Sequence, residues 1–508
     1  MTRWSWVIDQ TKCIGCHACT TACKSENDVS VGVFRTWVKN VDVGTFPDVR
    51  RHFAVLRCNH CEDAPCVEIC PVTAMYQRPD GLVDFNEDTC IGCKACMQAC
   101  PYDAIYMDPE TDTAAKCNFC SHRVDEGLLP ACVVVCPVEA LVFGDIDDPS
   151  SAVSRARAAN KVTVRRPEQR TRPKAFYIGA NEIALDPLGA QHHGIYAWAD
   201  RRTDGQRLTV NGKRSRLLST FNRQPSTVAY DIPKARPWGS KVSSYIWTKS
   251  IAAGAALVPA IMRIAGQRIT HPLFARVAPA IALIFLAITG VLLVADLKRP
   301  ERFWTILIRP QWRSWLARGA FVITAYAGVL TAWTAACWMG SEQWTGLLAW
   351  PVAFLALFTA IYTAFLFGQC EGRDLWQSRF LAADLLVHAP IAGLAALFVA
   401  APLVHGSELM VALRPWLGGA LWISMMIALM DAYGHHPTAN AAAAAHELVK
   451  GSESGLFWAA LIGGALLPAA ILLFAPSDYA FAAAPLSLGG LWLYGHALVT
   501  AGQRPPIS

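Results

Sequence analysis

Sixteen of the chain's 18 cysteines fall between Cys13 and Cys136, in four runs spaced to ligate iron-sulfur clusters. The first run is Cys13, Cys16, Cys19 and Cys23, separated by two, two and three residues; the third, Cys90, Cys93, Cys96 and Cys100, repeats it and closes on Pro101. Both match the bacterial 4Fe-4S spacing. The second, Cys58, Cys61, Cys66 and Cys70 before Pro71, and the fourth, Cys117, Cys120, Cys132 and Cys136 before Pro137, keep the opening CxxC and the closing CxxxCP and lengthen the middle. The lengthening adds loop and keeps the ligands. Three thiolates two residues apart let a tight loop wrap one cubane, while the fourth, one helical turn on, points to a neighbouring cluster. Runs therefore work in pairs, and sixteen thiolates fill four 4Fe-4S clusters. The proline after the last ligand suits a turn and removes an amide that would need a partner.

Disulfides and zinc are the ordinary competitors for such a set. Disulfides need an oxidising compartment, and residues 1–12 carry no apolar core of a secretory signal. Zinc sites use CxxC pairs at longer separation, and CxxCxxCxxxCP is not a zinc pattern. Iron is the expected metal.

The elements that must position this chemistry follow from composition. A chain of 508 residues with 53% hydrophobic content is too apolar for a purely soluble protein. Residues 1–147 form the expected cluster domain, 148–242 a basic linker, 243–501 a membrane anchor and 502–508 a tail. The net charge of +6 does not argue for nucleic acid, because the basic residues lie in the linker and in loops that would face lipid headgroups. The linker holds short apolar runs, Ala175-Phe176-Tyr177-Ile178 and Leu208-Thr209-Val210, that want burial and predict a strap docked on the cluster domain, the membrane surface or a partner. Its His192 and His193 are expected at the surface, since no further ligand stands at a supporting spacing.

Eight apolar segments follow, each near the ~20 residues that cross a bilayer. They cover residues 245–265, 277–295, 320–339, 347–368, 380–401, 411–430, 455–474 and 479–500. The loop after the second carries Lys298, Arg299, Arg302, Arg309 and Arg313, and the next loop on that side carries Arg373 and Arg379. The positive-inside rule then makes that side, and the amino terminus, cytoplasmic.

With that topology Asp296, Glu371, Asp384, His388, Asp431 and His496 lie in the half of the bilayer nearest the cluster domain. Asp384 and His388 are four apart and share a helix face. Ionisable groups inside a membrane are expensive and default to function. Clusters pass single electrons, whereas a quinone takes two electrons and two protons, so carboxylate and histidine suit an exchange site. Asp384, His388, Asp296, Asp431 and His496 are the expected quinone-binding residues. Capping of helix ends, or pairing with loop arginines, is the competing use of Asp296 and Asp431. A redox-driven ion-translocating module would need buried charge across the full bilayer, and the far half offers Arg263 and a few polar residues. No pair of facing histidines marks a haem, so none is expected.

The residues also carry a resemblance. Residues 13–145, with Cys58-Asn59-His60-Cys61, Pro65-Cys66 and Lys116-Cys117-Asn118-Phe119-Cys120, resemble the four-cluster electron-transfer subunit of molybdopterin oxidoreductases, the dimethyl sulfoxide and polysulfide reductase type. From Tyr245 on, the stretch from Asp296 to Phe303 and Tyr362-Thr363-Ala364-Phe365-Leu366 resemble the eight-span NrfD-like quinone-binding anchor. The resemblance implies an α+β double ferredoxin-like domain followed by an all-α eight-span transmembrane bundle. It also implies the ligand sets: Cys13, Cys16, Cys19 with Cys136; Cys117, Cys120, Cys132 with Cys23; Cys58, Cys61, Cys66 with Cys100; and Cys90, Cys93, Cys96 with Cys70. Molybdenum bis-pterin guanine dinucleotide would sit in a separate catalytic subunit. Here wiring and anchor, usually separate polypeptides, are one chain.

The expectation is an electron-transfer and anchor subunit of the inner membrane, its clusters facing the cytoplasm. It would relay electrons between a molybdenum enzyme and ubiquinone or menaquinone. Sulfite oxidation comes first for the partner's chemistry, and reduction of dimethyl sulfoxide or another sulfur oxyanion second.

Overall fold

The structure, a computed structural model, describes residues 2–45, 47–195 and 227–508. The apolar run Leu208-Thr209-Val210 and the side chains of His192 and His193 lie outside the described residues. Two units are present: Met1–Val67, Ala74–Ala235 and Pro506–Ser508 form one, and Glu68–Thr73 with Arg236–Pro505 form the other.

The first unit is α+β. Its strands are β1 (Trp4–Asp9), β2 (Thr36–Val43), β3 (Arg50–Arg57), β4 (Met75–Gln77), β5 (Val83–Phe85), β6 (Ile105–Met107), β7 (Ala114–Lys116), β8 (Leu141–Asp145), β9 (Val162–Thr163), β10 (Ala175–Ile178), β11 (Gln191–Ile195) and β12 (Thr227–Asp231). β1 pairs antiparallel with β8, Trp6 opposite Phe143, so the cysteine region is closed on itself by its two ends. The hairpins β4-β5 and β6-β7 sit one after each of the middle cysteine runs, a ferredoxin-like repeat. β10, the apolar run Ala175–Ile178, enters the β1 sheet in parallel with register Trp6 to Ala175, giving the order β8-β1-β10-β9. β12 extends β2 and β3 into a second four-stranded sheet, β11-β12-β2-β3. The described residues between Asp148 and Ala235 are therefore built into this unit rather than strung outside it.

Short helices carry the third cysteine of each run and, in the first run, the closing one as well. α1 (Ala18–Glu26) holds Cys19 and Cys23, α2 (Pro65–Ile69) Cys66, α3 (Ala95–Ala99) Cys96 and α5 (Ala131–Val134) Cys132; α4 (Ser121–Val124) starts after Cys120. Two more, α6 (Ala152–Ala159) and α7 (Glu182–Leu185), follow.

The second unit is helical: α8 (Ser240–Ile264), α9 (Ala278–Asp296), α10 (Thr305–Ile308), α11 (Trp315–Trp338), α12 (Glu342–Gly368), α13 (Leu381–Ala400), α14 (Ser407–Tyr433), α15 (Ala439–Val449), α16 (Ser454–Trp458), α17 (Leu467–Phe474) and α18 (Ala483–Ala501). Among the described residues, 7 helices are long and apolar enough to cross a membrane, with α16 and α17 joined by a π-helical stretch into one span. α18 is the eighth of the expected set; Ser487, Gly489, Gly490, Gly495 and His496 lower its hydropathy. α8 is the central helix, 78% of its most apolar stretch being enclosed, against 28% for the span that ends in α9. Exposed Ile284, Val291 and Phe354 are the lipid-facing kind of surface, and Trp304, Trp312, Trp344, Trp350 and Trp416 stand exposed near helix ends like an interfacial belt.

Small residues set the closest approaches. A Cβ on Gly254 of α8 would stand 1.8 Å from the Ala389 carbonyl oxygen of α13, and one on Gly393 would meet Gly254 in return. Without a hydrophobic drive between helices in lipid, such contact is what holds them. It brings the Asp384 and His388 turn of α13 against α8.

Candidate functional site

In every cysteine run the residue before the second ligand is left-handed: Gly15 (φ 68°), His60 (φ 43°), Gly92 (φ 68°) and Phe119 (φ 60°). A left-handed step turns successive amides into one concavity, the nest that receives anionic centres. Three runs repeat the device three residues past the closing cysteine, at Thr73, Asp103 and Glu139. Donors accordingly reach sulfur. The amides of His60, Ala114 and Ala140 point at Cys58 (3.5 Å), Cys90 (3.4 Å) and Cys136 (3.3 Å) Sγ. Asn27 Nδ2 donates to Cys23 Sγ at 3.8 Å and Cys120 Sγ at 3.7 Å, and Arg57 Nη1 to Cys132 Sγ at 3.2 Å.

Cys23, Cys117, Cys120 and Cys132, one of the expected ligand sets, line a single small cavity with Trp6, Arg35 and Arg57. Cys13 is within electrostatic reach of Cys136 and Cys16, and Cys66 of Cys100, Cys58 and Cys61. Cys90, Cys96 and Cys70 are buried, with Cys93 half-buried, and none of the sixteen is tied up in a disulfide. Among the described residues, no three His, Cys, Asp or Glu converge closely enough for a single metal ion. A cubane spreads its thiolates over four corners, so its ligands stand wider apart.

The donor set fits such a group electrostatically. Burial pushes the Cys117 thiol up to about 12 and the Cys19 and Cys100 thiols up to about 11, so none would ionise at neutral pH without a positive centre to take the proton's place. Arg57, Lys116 and Lys174 are buried at 0 to 2% exposure, and buried cations require anions. Burial works against the Arg57 charge, yet the thiolates of Cys132, Cys19 and Cys117 hold it above its ordinary value.

In the helical unit, Asp384 and His388 are 2% and 5% exposed on α13, with His388 Nε2 3.2 Å from Asp384 Oδ1. That contact is close without being aligned. Both Asp384 oxygens and His388 Nε2 lack a hydrogen-bond partner. His388 lines a narrow pocket with Ser243 and Trp247 of α8, Phe367 of α12, and Leu491 and Tyr494 of α18. The Tyr494 ring meets His388 edge-on at 5.6 Å, and its hydroxyl lies beside Asp384. Two buried polar groups without partners beside an apolar pocket fit a ligand that is mostly apolar and carries hydrogen-bonding oxygens.

The other expected residues go elsewhere. His496 stacks on Trp492, and its Nδ1 is 3.1 Å from Oγ of the pocket-lining Ser243, which puts it just behind the pocket wall. Asp431 accepts from Ser378 Oγ and lines a separate, open cleft with Asp374, His435 and His436. Asp296 ends α9, outside both. Sequence reasoning missed Tyr494, which only the packing of α18 delivers. It also missed Lys249, a lysine inside the first apolar segment. Lys249 is fully buried and its Nζ donates to Ala360 O (3.0 Å) and Thr363 Oγ1 (2.5 Å) over the Tyr362 ring, 4.6 Å to its centroid.

Comparison with known proteins agrees with this division. Residues 230–505 match the family described as polysulphide reductase, NrfD, and residues 5–71 and 49–146 match 4Fe-4S dicluster domains. A tetrathionate reductase subunit of Salmonella typhimurium is 43% identical over 190 residues, covering 37% of this chain and 76% of that protein. A component of the polysulfide reductase of Wolinella succinogenes is 43% identical over 180 residues, 35% of this chain and 94% of that one. The arsenate respiratory reductase iron-sulfur subunit ArrB of a Shewanella species is 38% identical over 224 residues, 35% and 96% of the two chains. Iron-sulfur electron-transfer domains and a multi-pass membrane anchor are thus joined in one polypeptide.

Proposed function

Because this polypeptide belongs to the polysulphide reductase NrfD family, we propose that it is the electron-transfer and anchor subunit of a membrane-bound molybdopterin oxidoreductase, linking a catalytic subunit to the quinone pool. The sixteen cysteines are assigned as four cluster sets: Cys13, Cys16, Cys19, Cys136; Cys23, Cys117, Cys120, Cys132; Cys58, Cys61, Cys66, Cys100; and Cys70, Cys90, Cys93, Cys96. When bound, the cubanes would supply single-electron steps and a quinone two-electron, two-proton chemistry. The observation that carries the quinone half is His388 at the pocket wall, with the buried Asp384 carboxylate 3.2 Å behind its Nε2 and no aligned hydrogen bond to either. His388 Nε2 is placed to hold or release a proton there, Asp384 to steady the charged imidazole, and Tyr494 and Trp247 to grip a ring. His496 and Ser243 brace α18 against α8 behind them.

The relatives are named for reduction of tetrathionate, polysulfide and arsenate, which supports a sulfur-oxyanion reductase drawing on quinol. Sulfite oxidation remains the reading supported by the loop arginines, which put the clusters on the cytoplasmic side. Anaerobic quinol addition to membranes, read by electron paramagnetic resonance, tests the relay. Clusters should reduce in the native protein, while His388→Ala and Asp384→Ala slow reduction by about 100-fold. Normal rates in both variants with full iron would remove the site assignment.

A second reading, a redox-driven ion-translocating module, is favoured by Lys249, whose neutral partners leave its amine free to take up a proton within the bundle. In vesicles with a trapped pH dye, Lys249→Met should then lower protons moved per electron and leave cluster reduction intact. An unchanged ratio rejects it.

A further inference from the structure

We propose that Arg57 is a redox-positioning residue: its buried guanidinium raises the reduction potential of the cluster held by Cys23, Cys117, Cys120 and Cys132. The inference rests on the assignment of those four cysteines as ligands.

Arg57 closes β3 and is 0% exposed. Its guanidinium lies over the Trp6 ring, 4.4 Å from the centroid, which fixes its plane. Nη1 donates to Cys132 Sγ at 3.2 Å, whereas Nε and Nη2 are buried without any partner in the protein. Both belong to a residue that forms part of the wall of the ligand cavity. A fully buried cation with two idle donors is expensive, and an iron-sulfur anion in that cavity is the group that would relieve the cost.

The same cavity has a second guanidinium in its wall, Arg35, which also lies within electrostatic reach of Cys23 and Cys117. Asn27 adds neutral donors to Cys23 and Cys120. Reduction adds one negative charge to a cubane, and a fixed cation with hydrogen bonds to the sulfurs favours the reduced form; net charge and such bonds are what tune these potentials. Arg57 also reaches Cys19, a ligand of the adjoining set, so it stands between two neighbouring electron stations and biases the hop between them.

The test is a redox titration of the full chain in detergent, followed by electron paramagnetic resonance, with iron and sulfide counted in each sample. Arg57→Leu should move one of the four transitions to lower potential and leave the two sets remote from Cys132 and Cys19 in place. Arg57→Lys, which keeps the charge and loses the fork, should move the same transition by less. Asn27→Leu should shift that transition too, which identifies it. Should Arg57→Leu lose iron, Arg57→Lys decides the matter. An unmoved transition there, or a uniform shift of all four, overturns the proposal. A native protein without iron would instead sink the ligand assignment itself.

Discussion

Both units bury charge, and they treat it differently. In the cysteine-rich unit Arg57 faces thiolates, and the amides of His60, Ala114 and Ala140 are spent on sulfur. In the helical unit the carboxylate of Asp384 and the Nε2 of His388 have only each other at 3.2 Å, without an aligned hydrogen bond, and Lys249 finds only neutral partners. Compensated charge marks a permanent resident, and uncompensated charge marks a visitor that comes and goes. The contrast predicts a rigid, metal-dependent first unit and a second unit whose fold stands without its ligand.

The largest effect should come from removing iron. Anaerobic chelation is expected to abolish the protease resistance of the first unit, because its buried thiols and cations lose the group that reconciles them. Helical circular dichroism of the second unit should persist. A first unit that stays protease-resistant without iron would erase the distinction. Next in size is Gly393→Leu, which would force α13 from α8 at a cost of ~3 kcal/mol or more, read as a lower melting temperature with quinol-dependent reduction lost.

Asp384→Leu sharpens the comparison from the other side. Made together with His388→Leu, it replaces a buried ionisable pair with apolar groups and is expected to stabilise the protein by ~1–2 kcal/mol while electron exchange with quinol falls. A variant that is both less stable and inactive would make the pair structural. The smallest effect concerns Glu453, whose carboxylate accepts from Arg504 at 3.0 Å. Burial works against its charge, yet bonds from Arg504 and Thr500 hold it below the ordinary value of 4.5. Its contribution is present above that value and fades as pH falls through the folded one. Glu453→Gln should cost ~1 kcal/mol at pH 7 and progressively less in acid, measured by thermal melts across pH.

The cluster runs were legible because their information is local: each ligand is fixed by residues within a few positions, and a left-handed glycine precedes the second cysteine in two of the runs. The eight spans were legible from hydropathy, although α8 starts at Ser240 and α12 at Glu342, both N-terminal to the apolar stretches, because polar residues continue a helix that needs no lipid. Asp384 and His388 shared a face by simple periodicity. Their companion Tyr494 sits more than a hundred residues away, and no spacing rule connects it to them. The pairing of β10 with β1 and of β12 with β2 is equally non-local, so the stretch expected as a docked strap supplies strands to two sheets, which its apolar runs alone did not announce. Arg57 drew no notice in the sequence, since only the folded cavity reveals what it faces.

The left-handed positions of the second and fourth runs are filled by His60 and Phe119, whose rings stack with centroids 3.8 Å apart. Glycine would suit those backbones better, so the rings are kept for what they touch. They act as a gauge block between two runs of iron ligands. Tunnelling rates fall exponentially with separation, and a slab of two aromatic rings cannot be compressed or drift open as a loop would. Should electrons pass between clusters held by these two runs, the thickness of a pair of side chains would set their tempo.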